Sequence, residues 1–404
     1  MTEQGTIKSK ISAKLSALGG GMLVIGAAVF GMGAMKHGFG AEGLEKIAPS
    51  FLYGAIFWVL LTMGCYGLTL LFHVTRGRWG TPVLRVFESG SNHVMLAYSF
   101  VLVMIGAVVF KDAIYGHWTQ APLADLIVQR KSHYLNYPFF LGRFVAYFLI
   151  LGGIGWALRT WARQEELTGD PAYSIKRNNL SGAAIVVFFI VMTFFITDVL
   201  MSIDPHWFST IWGFLFSVGA ALTAMSLAVL VVVSQRNKAP FKGVVDELMM
   251  KDFGNLLLML TMLWGYLSFS QLLIIWSGNL PEFTTYYLAR LQGNFSLLGG
   301  VLTIGQFFLP FTLLLSPKLK RTPALLMGCA SIILLMRFFD MHWLVAPYFR
   351  AEVTPELADL GSLLLFGGIW FLLFGMNLKG APMVTKAHPS EDFVPELVEA
   401  TENV

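Results

Sequence analysis

The chain has 404 residues, of which 56% are hydrophobic and only 13% charged, and its formal net charge is +4. Soluble domains carry about 25% charged residues, so this composition excludes an ordinary soluble domain and indicates an integral membrane protein. No nucleic-acid partner is expected.

The segment 1–14 carries three lysines and precedes the first apolar run. That run is too long for the apolar core of a cleavable signal peptide and has no small-residue cleavage pattern, so it is expected to remain as a helix. A bilayer crossing needs about 20 apolar residues. Runs of that kind fall at 15–35, 51–72, 93–110, 138–158, 180–200, 207–234, 252–276, 293–315, 323–346 and 359–378. The expected fold is therefore all-α, a polytopic membrane domain over 15–378 with ten transmembrane helices. The tail, 379–404, carries Glu391, Asp392, Glu396, Glu399 and Glu402 with Pro389 and Pro395. It reads as a solvated, disordered acidic end without a catalytic role.

Lys and Arg are retained on the cytoplasmic side of short loops. Alternating segments from a cytoplasmic N-terminus put 19 basic residues inside and 7 outside, with Arg143 and Arg337 left within spans. Both termini are thus expected in the cytoplasm. Cys65 and Cys329 stand singly in separate spans, a spacing that fits neither an iron–sulfur cluster nor a zinc site.

The fifth span ends FFITDVL (194–200) and the ninth ends RFFDMHWL (337–344), each placing an Asp behind a Phe pair. Four helices separate the two segments, consistent with same-direction repeats. The repeat would make two four-helix bundles, spans 2–5 (about 51–200) and 6–9 (about 207–346), with spans 15–35 and 359–378 flanking them.

The hairpin ITDVLMSIDPHWFSTIWG, 196–213, carries Asp198, Asp204 and His206 with no neighbouring Lys or Arg in sequence. A charge at a helix centre costs about 2.5 to 3.5 kcal/mol on insertion scales, so such groups mark functional sites. The plain alternatives stay open. Asp204-Pro205 also reads as an N-cap followed by proline at the first helical position. His206 and Trp207 also suit the headgroup layer, although a His beside a carboxylate can exchange protons near neutral pH. Asp198 lies inside the span and has no such structural explanation.

Arg337 and Asp340 are three apart and can pair on one helix, with His342 just beyond. Arg143 is expected to reach toward the outer headgroups. In the seventh span Tyr266, Ser268, Ser270 and Gln271 crowd together near Trp276. They suit either helix–helix hydrogen bonds or the headgroup of a quinone. Tyr66, Tyr98, Tyr147, Asn255 and Gln306 are candidate polar steps of a proton path, and Tyr and Gln also join helices.

The stretches DVLMSIDPHWFSTIWG (198–213), YLSFSQLLIIWSGNLPEFTTYYLARL (266–291) and RFFDMHWLVAP (337–347) resemble the membrane subunits of alternative complex III, the bacterial quinol:electron-acceptor oxidoreductase. The similarity is nearest to the ActF type, related to ActC and to the NrfD and polysulfide reductase membrane anchors. It covers spans five to nine, the combination of MSxDPHWFS with GNxPE being its most specific part.

The resemblance implies a multi-pass subunit of the bacterial cytoplasmic (inner) membrane that holds no haem or cluster and is not active alone. Its partners would be an ActC-like membrane subunit, iron–sulfur and haem c subunits, membrane lipid, and a terminal oxidase or cytochrome c as acceptor. Menaquinone or ubiquinone would be the bound quinol/quinone, and a proton path is credited to such subunits. Asp198, Asp204, His206, Glu282, Asp340 and His342 match the family's polar outer motifs, whereas Phe283 stands where a second acidic residue is usual.

The expected proton acceptors in catalysis are Asp198, Asp204, His206, Asp340 and His342. Tyr266, Ser268, Gln271, Trp276, Glu282 and Arg337 are the expected quinone or proton-path contacts. Two other functions fit the composition, a haem b cytochrome and a secondary transporter. The first is disfavoured because His73, His93, His206 and His342 sit at span ends, the second because no pair of spans is broken by Gly-Pro and the acidic residues gather on one face.

Overall fold

The computed structural model describes residues 3–38, 40–120, 125–379 and 383–384. Among these residues every regular element is helical. The long elements are α1 (Glu3–His37), α2 (Ala41–Thr75), α7 (Tyr137–Thr168), α8 (Ala172–Val199), α9 (Trp212–Val233), α10 (Glu247–Gly278), α15 (Pro323–Val345) and α16 (Leu357–Leu378). Shorter ones are α3 (Leu84–Gly90), α4 (His93–Val108), α5 (Lys111–Thr119), α6 (Leu126–Arg130), α11 (Pro281–Leu291), α12 (Gly293–Leu302), α13 (Leu309–Leu315) and α14 (Pro317–Arg321).

Nine helical segments among the described residues are long and apolar enough to cross a membrane. The chain is therefore a multi-pass helical membrane protein. The expected third span is the exception: α4 has 16 residues and meets α3 at a bend of 43°. The break falls at Ser91-Asn92, where the Asn92 carboxamide oxygen accepts the N–H groups of Val94 and Met95 at 3.0 and 3.1 Å and so caps a new helix.

Local chemistry sets the other ends. Pro281, Pro317 and Pro323 each begin a helix, where a missing N–H costs nothing. Asp246 caps α10 through the Met249 N–H at 2.7 Å, and Asn279, at φ 45°, closes the same helix in the left-handed region. The expected span 293–315 is not one uniform helix. Residues Thr303–Phe308 between α12 and α13 form a π-helical turn. Pro310 explains it, because proline cannot donate to the carbonyl four residues earlier, at Gln306, and its ring crowds that carbonyl.

α7 packs on α8 and α4, and α2 packs on both of those partners; α9 packs on α10 and α15, and both of these pack on α13. α2 and α9 join the two groups, with Gly64 meeting the Ala220 backbone. Helix α1 adheres to α16 through two glycine rows of seven-residue spacing. A Cβ on Gly26 would stand 2.2 Å from the Leu365 nitrogen and one on Gly368 2.4 Å from the Leu23 nitrogen, the close small-residue contact favoured between membrane helices. Beyond that seam α1 is exposed and apolar at Val24, Ile25, Met32 and Met35.

The sixth span starts later than expected. α9 begins at Trp212, not 207, so Asp204-Pro205 is not its N-terminus. The Asp204 carboxylate instead accepts the His206 N–H at 3.0 Å, a local turn of the kind Asp favours. The segment 1–14 is helical from Glu3, and the acidic residues of the tail lie outside the described residues.

Candidate functional site

Asp198, the Asp204–His206 pair and Asp340 fall in three separate places. At the first, α7 and α8 are locked by a buried ion pair. Arg143 donates through Nε to Asp198 Oδ2 at 2.8 Å and through Nη2 to Oδ1 at 2.7 Å, and Tyr147 adds a third bond to Oδ2 at 2.7 Å. Asp198 is wholly buried. The guanidinium stacks 3.8 Å from the Tyr134 ring and donates to the Tyr134 carbonyl. Two expectations are corrected here: Asp198 has a cation, and Arg143 does not reach the headgroups. Spacing along the chain concealed this, because the partners are 55 residues apart. Tyr147 is likewise absorbed in this lock.

At the second place, the 199–211 hairpin meets the α6 turn. His206 Nε2 lies 2.5 Å from Asp125 Oδ2, and its Nδ1 lies 3.5 Å from Asp204 Oδ1. Lys131 donates to the Pro205 carbonyl at 2.6 Å, so Asp204 also has a cation at hand. Backbone N–H donation from Ile127, assisted by His206, holds the Asp125 carboxyl below its usual range, while burial lowers the Lys131 amine. His206 is half exposed. The cluster lines neither of the two cavities described below.

The third place is a cavity of about 640 Å³ enclosed by α9, α10, α11, α12, the π turn and α15. Ser268 and Gln271 of α10, Tyr286 and Tyr287 of α11, Thr303 and Phe307, and Trp343 of α15 form its walls together with Arg337 and Asp340. Arg337 Nη1 donates to Asp340 Oδ2 and its Nε to Thr223 Oγ1 at 3.4 Å. Both ions are almost wholly buried. The expected intrahelical pair thus forms, and it forms on a cavity wall. Gln271 Oε1 accepts from Ser209 Oγ at 3.0 Å, tying the cavity to the hairpin. Burial holds the Tyr287 hydroxyl above its ordinary range, and Gln271 bonds to it. Tyr266, Phe269 and Phe308 line the cavity yet are more than half exposed, so it opens sideways onto the apolar exterior, where lipid would lie.

The remaining expected residues fall elsewhere. His342 is two residues beyond Asp340, about 200° around the helix, and packs against the Tyr53 ring at 5.1 Å. Trp276 is 75% exposed on the apolar exterior. Glu282 is exposed in the first turn of α11. Neither borders the cavity. Tyr66 donates to the Leu151 carbonyl and Tyr98 to the Phe366 carbonyl, both at 2.8 Å, and Asn255 accepts from Lys320. These three act as helix joints. Gln306, in the π turn, is buried with both amide atoms unpartnered.

Arg290 was not among the expected residues. It is 1% exposed, donates to the carbonyls of Tyr286 and Leu344 at 2.9 and 2.6 Å, and lies 3.6 Å from the Tyr286 ring. It fastens α11 over the cavity against α15. The signal was available in TYYLARL, whose lone cation follows two aromatics by three and four residues.

No protein-family model matches the chain, and no curated protein matches it either.

Proposed function

We propose that the chain is a membrane subunit of a bacterial quinol:electron-acceptor oxidoreductase of the alternative complex III type, with a quinol/quinone site in the cavity beside Arg337 and Asp340. One observation carries the reading: a slot open to the lipid side ends on a buried carboxylate–guanidinium pair. A quinol has the complementary form, an apolar ring and isoprenoid tail bearing two hydroxyls. Asp340 is the only carboxylate on the cavity wall among the described residues, and it is suited to accept a hydroxyl proton. Ser268, Gln271 and Tyr287 supply further hydrogen-bond groups around the ring.

Oxidation of the quinol releases two electrons and two protons. The electrons would pass to the iron–sulfur and haem c subunits of the assembly, and thence to a cytochrome c or terminal oxidase. The protons would leave by the hairpin face, where Asp204 and His206 stand. In this reading the bent α3–α4 pair counts as a tenth span, and α2, α4, α7, α8 and α9, α10, α12–α13, α15 are the two four-helix bundles, flanked by α1 and α16. The helix packing supports that division. Both termini would lie in the cytoplasm, and menaquinone or ubiquinone would be the ligand.

An azidoquinone photoprobe applied to the assembled complex tests the proposal. Labelling is expected on peptides spanning 262–272 and 337–344, competed by unmodified quinone and reduced at least tenfold by Asp340→Leu. Labelling confined to other subunits would overturn it.

A further inference from the structure

A second cavity, of about 540 Å³, lies between α2, α3 and α7 at the face opposite the hairpin. Its chemistry differs from that of the first. α7 contributes Arg159, Arg163 and Glu166, spaced three and four residues apart and so on one side of the helix, and α3 contributes Arg85 and Glu88. Arg85 bonds to both Glu88 and Glu166. That cation satisfies the two carboxylates on the wall, and Arg159 and Arg163 have no carboxylate partner among the described residues. Three guanidiniums therefore face two carboxylates.

Unpaired donors point the same way. Asn92 and Arg85 are 7% and 8% exposed, and Asn92 Nδ2 and Arg85 Nε are buried without a hydrogen-bond partner. The Asn92 oxygen is engaged by the start of α4, so the NH2 is the free end of a side chain that belongs to the cavity wall. A buried donor without an acceptor is destabilising, so a pocket with surplus donors and surplus positive charge is complementary to an acceptor-rich anion. Phosphate oxygens match guanidinium forks in geometry. The volume exceeds that of a phosphate group, and the rest of the wall mixes the apolar Leu70, Leu158 and Leu167 with the polar Tyr66, Thr69, Ser89, Ser91 and Asn377.

We propose that this cavity seats a phosphate group, held by Arg159 and Arg163 with the Asn92 side chain at the wall, and carried by the headgroup of an anionic phospholipid. Basic pockets between membrane helices bind such headgroups. Free phosphate offers the same oxygens without the chain. The inference is independent of the quinone reading, since the two cavities share no residue.

Native mass spectrometry of the full chain in detergent decides it. After delipidation, added phosphatidylglycerol is expected to give a one-lipid adduct at least fivefold more abundant than phosphatidylcholine of the same acyl composition. Arg159→Gln with Arg163→Gln should reduce that preference to near parity, while Arg159→Lys with Arg163→Lys, which keeps the charge, should retain most of it. If millimolar inorganic phosphate displaces the lipid, free phosphate also occupies the site; if it does not, the source is the lipid. Equal retention of the two lipids by the unaltered chain overturns the proposal. So does an unchanged phosphatidylglycerol adduct in a Gln variant with unchanged melting temperature. The lipid comparison on the unaltered chain stands even where the Gln variant fails to fold.

Discussion

The Arg337 guanidinium occupies the space that Gly219 leaves on α9. A Cβ at position 219 would stand 2.4 Å from Nη2 and 2.7 Å from Cζ, so the absence of a side chain on one helix permits the buried cation on another. The pair with Asp340 and the shape of the cavity wall both depend on that space.

Gly219→Ala is therefore expected to push Arg337 off Asp340 and deform the cavity. Losing a buried pair's geometry costs about 3 to 5 kcal/mol when one charge is left uncompensated, and a partial displacement should cost less. The expected result is at least a tenfold loss of quinone-probe labelling with a lower melting temperature in detergent. A useful control is Gly278→Ala, at a position with open space around it. Equal behaviour of the two variants would contradict the argument.

The Arg143–Asp198 lock yields a prediction of a different kind. Arg143→Met strands a carboxylate that is wholly buried, with an expected loss of about 3 to 5 kcal/mol. Arg143→Met combined with Asp198→Leu removes both charges and should recover most of that loss. Reversible unfolding in mixed micelles measures both variants. A double variant as unstable as the single one would show that the pair does more than neutralise itself, and Asp198 would return as a candidate proton carrier.

Much of the architecture is visible in the residues themselves, since apolar length and flanking charge locate nearly every crossing helix. The π turn was not, because Pro310 announces a disturbance without saying how the backbone absorbs it. Residue type also marked Ser268, Gln271, Arg337 and Asp340, which converge on one cavity. It left Asp198 without a cation because Arg143 is 55 positions away and reaches it only once α7 and α8 pack. His342 and Trp276 look similar to the wall residues in sequence; helical phase turns His342 away from the cavity, whereas Trp276 lies on the wall face of α10 but a turn beyond Leu272, the last wall residue of that helix.

The hairpin cluster should respond to acid. Asp125 is depressed below its usual value of 3.8, first by the Ile127 N–H and further by His206. A depressed carboxylate stabilises the fold above its unfolded value and loses that contribution as pH falls through the folded one. The contact is thus expected to be intact at pH 5 and to fail below about pH 4. Hydrogen exchange read on 125–131 and 203–209 should accelerate together over that interval, and Asp125→Asn should abolish the coupled step. Independent exchange of the two segments at every pH would show that the His206–Asp125 contact does not join them.

The seam between α1 and α16 makes the last expectation. Only backbone separates the helices at Gly26 and Gly368, and the Ser12 hydroxyl donates to the Gly375 carbonyl at 2.6 Å along the same line. Dispersion between closely approaching backbones, without a hydrophobic term in lipid, must hold α1 in place. Gly26→Leu should therefore pry α1 away while leaving the packing of α2 with α9 intact. A cysteine pair introduced at Leu18 and a facing α16 position would crosslink efficiently in the parent and poorly in the Gly26→Leu variant. Gly20→Leu, at a position with open space, should crosslink like the parent; if it too prevents crosslinking, bulk anywhere on α1 matters and the glycine seam is not what attaches it.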